Sequence, residues 1–155
     1  MQGNPEVLDT LNKLLAGELA ARDQYFIHAA MYEDWGLTAL EAHTLHEMAE
    51  EVEHARAFIK RILMLGGTPR MEPEALNIGA DVKDMLQKDL ALEYQVRDNL
   101  KAAIALCEER QDYVTRDLLQ LQLQDTEEDH AYWLERQLGL IEKVGLQNYL
   151  QKQMG

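Results

Sequence analysis

Residues 66 to 80 restrict what this chain can fold into more than any other stretch. Gly66, Gly67, Pro69, Pro73 and Gly79 break it up, and neither residue type suits a helix interior: glycine is too free and proline lacks an N–H. On either side the apolar residues recur at helical spacing. Before the break they are Val7, Leu8, Leu11, Leu14, Leu15, Leu19, Tyr25 and Phe26, then Leu45, Met48, Val52, Ala55, Ile59 and Ile62. Asp34, Trp35 and Gly36 mark a turn between these two helices. A break of about 15 residues is too long for a tight helix–helix turn. Extended at ~3.3 Å per residue it reaches ~50 Å, whereas a helix of about 28 residues is only ~42 Å long. The break can therefore cross a whole bundle and start the third helix at the far end.

The remaining boundaries follow from capping. Asn4 before Pro5 opens the first helix, Thr38 with Glu41 reads as a capping box for the second, and Asp81 caps the third. The expected helices span about 5–35, 38–65, 82–109, 112–138 and 144–151. The last is too short to stand alone and must dock. The spacing thus predicts one all-α domain over 1–155, a four-helix bundle with a long crossover between helices two and three and a short fifth helix.

Composition narrows the function classes. With 28 acidic against 15 basic residues the net charge is −13, a field that repels nucleic acid and anionic membranes and attracts cations. No run of about 20 apolar residues suits a membrane span. Met1 to Asp9 lacks the basic-then-apolar pattern of a secretory leader, and the expected location is the cytoplasm. A single cysteine, Cys107, excludes an internal disulfide.

The chemistry sits in a repeated motif. Glu51 and His54 form one Glu-x-x-His, Glu127 and His130 another. On an α-helix, positions i and i+3 share a face, so a carboxylate oxygen and an imidazole nitrogen converge on one ion. Two such pairs, completed by one glutamate from each remaining helix, are a known layout for a di-iron site in a helical bundle. Glu18 lies on the apolar stripe of helix one, and Glu93 is the one glutamate of helix three before its last turn. All four glutamates fall about 11 to 14 residues into their helices, roughly 16–21 Å along, at one level of the bundle. Oxygen and nitrogen donors without thiolate suit iron or manganese. Tyr25, two turns after Glu18, is a candidate electron donor, and Trp133 follows His130 by one turn. His46 and Glu50, at i and i+4, are weaker candidates for iron on an inner wall. Core packing and a solvated acidic face are the competing readings of these last four.

On these residues the chain resembles the bacterioferritins and their haem-poor bacterial relatives, within the ferritin-like superfamily, from end to end. The stretches 11–15, 24–26, 112–114 and 145–150 carry the resemblance, together with both Glu-x-x-His pairs. It implies a hollow twenty-four-subunit shell, a ferroxidase that oxidises Fe(II) with O2 or H2O2, and storage of a ferric mineral. By that resemblance the di-iron ligands are Glu18, Glu51, His54, Glu93, Glu127 and His130.

One position departs from the family. Bacterioferritins carry a haem-ligating methionine directly after the first motif's glutamate, and here that residue is Val52. Met48 lies a turn earlier, ~5–6 Å away, and is a weak substitute. Haem b is therefore not expected in the homo-oligomer. A haem-binding sister subunit and a ferredoxin reductant are the partners the resemblance adds. A crossover one residue shorter, balanced by one additional residue before Glu127, also separates the chain from the best-known members. The alternatives are a rubrerythrin-like di-iron peroxidase or oxygenase, a DNA-protecting mini-ferritin, and a non-catalytic structural bundle. The single cysteine speaks against the first, and the Gly- and Pro-broken crossover against the second.

Overall fold

A computed structural model describes residues 1–155. Six α-helices follow one another: α1 Pro5–Asp34, α2 Thr38–Met64, α3 Val82–Glu109, α4 Tyr113–Asp125, α5 Tyr132–Val144 and α6 Leu146–Gln153. A π-helical turn, Thr126–Ala131, joins α4 to α5, so these three pieces form one continuous fourth rod. Asn4 caps α1 by accepting from Glu6 and Val7 N–H, and Asp81 caps α3 by accepting from Asp84 N–H.

Three boundaries differ from the sequence expectation. The capping box at Thr38 does not form: the cap is Leu37, with no side-chain bond, and its burial in the apolar core fixes the entry to α2 instead. The fourth rod does not end near Gly139 but runs on to Val144. Gly139 stays helical because packing overrides its weak propensity. The true break is Gly145, at φ +84°, a conformation that costs glycine nothing. The last helix consequently begins at Leu146 rather than near residue 144.

The crossover, residues 65 to 81, runs the length of the bundle and leaves α2 and α3 parallel. Arg61 near the end of α2 meets Asp112 and Thr115 at the start of α4, while Tyr25 and His28 of α1 meet Glu93 and Asp89 of α3 in antiparallel order. Side chains of α1 fasten the strap. Asn12 donates to Thr68 O at 3.2 Å and accepts from Arg70 N–H at 2.6 Å. Gln24 accepts from Asn77 N–H, and His28 Nε2 accepts from Gly79 N–H at 3.1 Å. His28 Nδ1 lies 2.9 Å from Asp89 Oδ1, which accepts from Gln24 Nε2. Gly79 has no alternative: a Cβ there would lie 2.6 Å from the Met85 backbone.

The apolar core is split in two. One cluster, around Leu11, Leu15, Phe58, Ile62, Leu100 and Leu119, fills the end where α1 begins. The other, around Tyr32, Leu40, Met85, Leu86 and Ile141, fills the opposite end. Between them lies a buried polar layer that includes Glu18, Glu47, Glu51, His54, Asp89, Glu93 and His130. Desolvating that many ionisable groups is costly, and a bundle that only had to be stable would fill the gap with leucine. No helix is long and apolar enough to cross a membrane.

Candidate metal centre

Each rod delivers donors to the polar layer from its buried stripe. On α2 the stripe runs Leu40, Thr44, Glu47, Glu51, Ala55, Phe58, Ile62, a three-four alternation that turns Glu47 and Glu51 inward with the apolar residues. Glu18 of α1 and Glu93 of α3 are 2% and 1% exposed, and His130 of the π-turn is 1% exposed.

Glu51 is the shared member. Its Oε2 lies 3.7 Å from His54 Nδ1, and Glu18 Oε2 lies 3.8 Å from that same nitrogen. Its Oε1 lies 2.9 Å from His130 Nδ1, which is 3.3 Å from Glu93 Oε1. Two half-sites result, Glu18–Glu51–His54 and Glu51–Glu93–His130, each with its donor atoms mutually within 4.8 Å. The two imidazole centroids are 5.9 Å apart. Glu18 Oε2 and His54 Nδ1 are buried with no hydrogen-bond partner. A cation between them satisfies both, which neither supplies for the other at 3.8 Å.

Both histidines show the same polarity, Nδ1 toward the centre and Nε2 toward an outer carboxylate. Asp125 stands 3.1 Å behind His54 Nε2, and Glu47 and Glu50 each stand 2.6 Å behind His130 Nε2. A carboxylate behind a ligating histidine fixes its tautomer and raises its basicity. Glu47, Glu50 and His130 also qualify as a third group able to hold an ion, and Glu50 reaches on to exposed His46 at 2.8 Å.

Protons hold the charges in check. Burial, then the Glu51 charge, pushes Glu18 well above the usual carboxylate range. Burial also raises Glu93. Burial acts on Glu51 in the same direction, but hydrogen bonds from Glu18, His130 and His54 outweigh it and hold that carboxyl well below its usual value. Burial disfavours charge on His54, yet Glu18 and Glu51 push it up to about 11. His130 is driven far above the imidazole range by Glu47, Glu51 and Glu93, against its burial. Tyr25 donates its hydroxyl to Glu93, and burial followed by the Glu93 charge keeps the phenol protonated.

Glu127 is the exception among the six expected ligands. Its side chain is 46% exposed and faces Lys101 at 3.7 Å, outside the cluster. The cause is the π-turn. An i→i+5 ring takes in one more residue than an α turn, so each residue rotates less and positions i and i+3 no longer share a face. His130 keeps its inward aim within this turn, and Glu127 loses it. Thr126, 1% exposed, occupies the inward position instead.

Sequence reasoning missed Glu47, Asp125 and His43. The signal for Glu47 was present, since it lies four residues before Glu51 on the buried stripe. Nothing in the spacing announced Asp125, the last residue of α4. Val52 and Met48 are both partly buried on α2.

Residues 8–144 match the model of the ferritin-like domain. A bacterial ferritin of Pseudomonas aeruginosa is 61% identical over 154 residues, covering 99% of this chain and 100% of that protein. One from Neisseria meningitidis serogroup B is 62% identical over the same coverage, and a bacterioferritin of Mycobacterium avium is 45% identical over 96% of this chain and 94% of that protein. The chain belongs to the ferritin family.

Proposed function

We propose that this protein stores iron, taking Fe(II) as substrate at the paired half-sites, oxidising it there and passing Fe(III) to a mineral inside a shell of like subunits. The observation that carries this reading is Glu51, one carboxylate facing two histidine–glutamate pockets. Two Fe(II) held side by side can deliver two electrons together to O2 or H2O2. The carboxylates meet the rise in charge by shifting from terminal to bridging contact. The ligands are Glu18, Glu51 and His54 on one side and Glu51, Glu93 and His130 on the other, with Glu127 outside. Where the two Fe(II) leave the O2-derived oxidant one electron short, Tyr25 supplies that electron and its hydroxyl proton passes to Glu93. His46 and Glu50 lead from the centre toward exposed surface.

Assembly into a shell is supported by the relatives and by apolar residues left exposed on and beside α1, among them Phe26, Ile27 and Trp35. Val52 offers no sulfur, and we propose that the homo-oligomer takes up no haem through paired thioethers. A Soret band near one haem per two subunits in protein purified with haem would contradict this. Buried Cys107, its thiol pushed up to about 11 by desolvation, offers no electron-transfer module of the rubrerythrin kind. A structural bundle would leave Glu18 Oε2 and His54 Nδ1 unsatisfied at a cost of about 1–3 kcal/mol each. The test is the double variant Glu51→Ala with His130→Ala, expected to fold and assemble but to lose rapid Fe(II) oxidation. Unchanged initial rates in that variant would sink the proposed centre.

A further inference from the structure

Behind His130 the structure holds more than an ion requires. Two carboxylates, Glu47 Oε2 and Glu50 Oε2, each lie 2.6 Å from His130 Nε2, but an Nε2–H is a single donor: its hydrogen bond goes to Glu50, and Glu47 Oε2 is buried beside the same nitrogen without one. Each carboxylate has a second partner. Glu50 Oε1 pairs with exposed His46 at 2.8 Å, and Glu47 Oε1 lies 2.9 Å from His43 Nε2. His43 is fixed in turn, its ring lying flat on Trp133 with centroids 3.6 Å apart and planes 13° from parallel. His43 and Glu47 stand one turn apart on α2, and His130 and Trp133 three residues apart where the π-turn meets α5. The four side chains close a rectangle that ties the two rods together twice, once through charge and once through stacking.

We propose that His43 is a positioning residue for the second half-site, acting through Glu47 to hold His130 with Nδ1 toward the metal, and that it joins Trp133 to the same unit. The proposal rests on the metal centre described above. Without the His43 N–H, Glu47 is free to turn away, and His130 Nε2 is left to its hydrogen bond with Glu50 alone, a carboxylate that is less buried and paired with exposed His46. Outer partners of metal-bound histidines are worth about 10–100-fold in metal affinity, and His43 stands one step behind such a partner.

Zn(II) tests this without redox chemistry, since it binds imidazole and carboxylate and keeps its oxidation state. The assembled protein carries Trp35→Phe, which leaves Trp133 as the one indole of the two in the chain. Zn(II) stoichiometry and affinity are read by calorimetry, and Trp133 emission is followed in parallel. We expect the emission to change as the second half-site fills. His43→Phe keeps a ring on Trp133 but removes the N–H, and should weaken the second Zn(II) about 10-fold or more. His43→Gln keeps an N–H for Glu47 but removes the ring, and should retain the affinity while losing the emission response. Wild-type affinity in the Phe variant, or an intact emission response in the Gln variant, overturns the role of His43 and leaves the centre standing. Failure of the Trp35→Phe protein itself to bind Zn(II) overturns the centre, and the proposal with it.

Discussion

Glu51 serves both pockets, so its loss is felt twice. We expect Glu51→Ala to reduce the initial rate of Fe(II) oxidation by more than the ~10–100-fold typical of an outer-partner change, and Glu127→Ala to leave it within a few-fold of wild type. Stopped-flow absorbance on both variants checks the contrast, and equal losses would return Glu127 to the centre. The protons of the layer make a second prediction. His54 is raised from an ordinary 6.5 to about 11, so its contribution to metal-free stability is complete below ~6.5 and is lost as pH rises through about 11. Glu47 is the reverse, lowered from 4.5 to about 2 because bonds from His130 and His43 outweigh its burial. Its contribution holds above ~4.5 and is lost as pH falls through about 2. Between those limits a divalent ion must displace protons from His54, His130 and Glu18. Zn(II) affinity should therefore rise with pH, and titration in buffers of different ionisation heat should show more than one proton released per subunit. Binding with no proton release would contradict the protonation scheme. At this scale the sequence was informative where α-helical spacing held. Glu18, Glu51, His54 and Glu93 meet because each keeps to the buried stripe of its helix, and His130 joins them from the π-turn. Glu127 does not, because the single wide turn that contains it cannot be read from residue types.

The π-turn is an element in its own right, and its effect can be reversed. Deleting Thr126 should let α4 run on as α-helix through His130, placing Glu127 in the inward position and restoring the i, i+3 relation. We expect the deletion variant to gain a carboxylate at the centre and to bind Zn(II) more tightly, with a crystal structure showing Glu127 near His130. A variant that keeps Glu127 on Lys101 would show that something other than the π-turn directs it. The Lys101 pair itself offers little resistance, since exposed pairs are worth about 0–1 kcal/mol. The crossover makes the opposite case, for its length and direction were legible from Gly, Pro and reach alone. What holds it down was not. Gln24 and His28 on α1 and Asp89 on α3 form a buried set whose members lie 65 and 61 residues apart in sequence, and no local pattern links them. Asp89→Ala leaves Gln24 Nε2 without its acceptor and removes the carboxylate beside His28 Nδ1, and should cost about 1–3 kcal/mol. Urea unfolding measures it, and a change below about 0.5 kcal/mol would contradict the buried network.

At the scale of the whole molecule, two apolar cores carry the stability that the polar layer between them gives up. That division is the reason the fold class could be read from periodicity alone, while the function had to be read from the two Glu-x-x-His pairs. The stripes of leucine, valine and isoleucine specify four rods, and only the acidic and imidazole interruptions at mid-height specify a centre. The net charge of −13 adds a cation-attracting field, and Fe(II) uptake should slow as salt is raised, the field being screened within about 10 Å at 0.1 M. The exposed apolar residues of α1 predict that the 17.8 kDa chain sediments as a closed shell and not as a monomer.

The central claim is that each subunit holds two Fe(II) around Glu51 and oxidises them as a pair. Anaerobic Fe(II) titration of the assembled protein, followed by mixing with air in stopped flow, tests it directly. We expect saturation near about two Fe(II) per subunit, a fast oxidation phase, and slower mineral growth on further additions, with the first two features absent from the Glu51→Ala, His130→Ala variant. Absence of tight Fe(II) binding in the wild-type protein, or a fast phase that survives in the double variant, would contradict it.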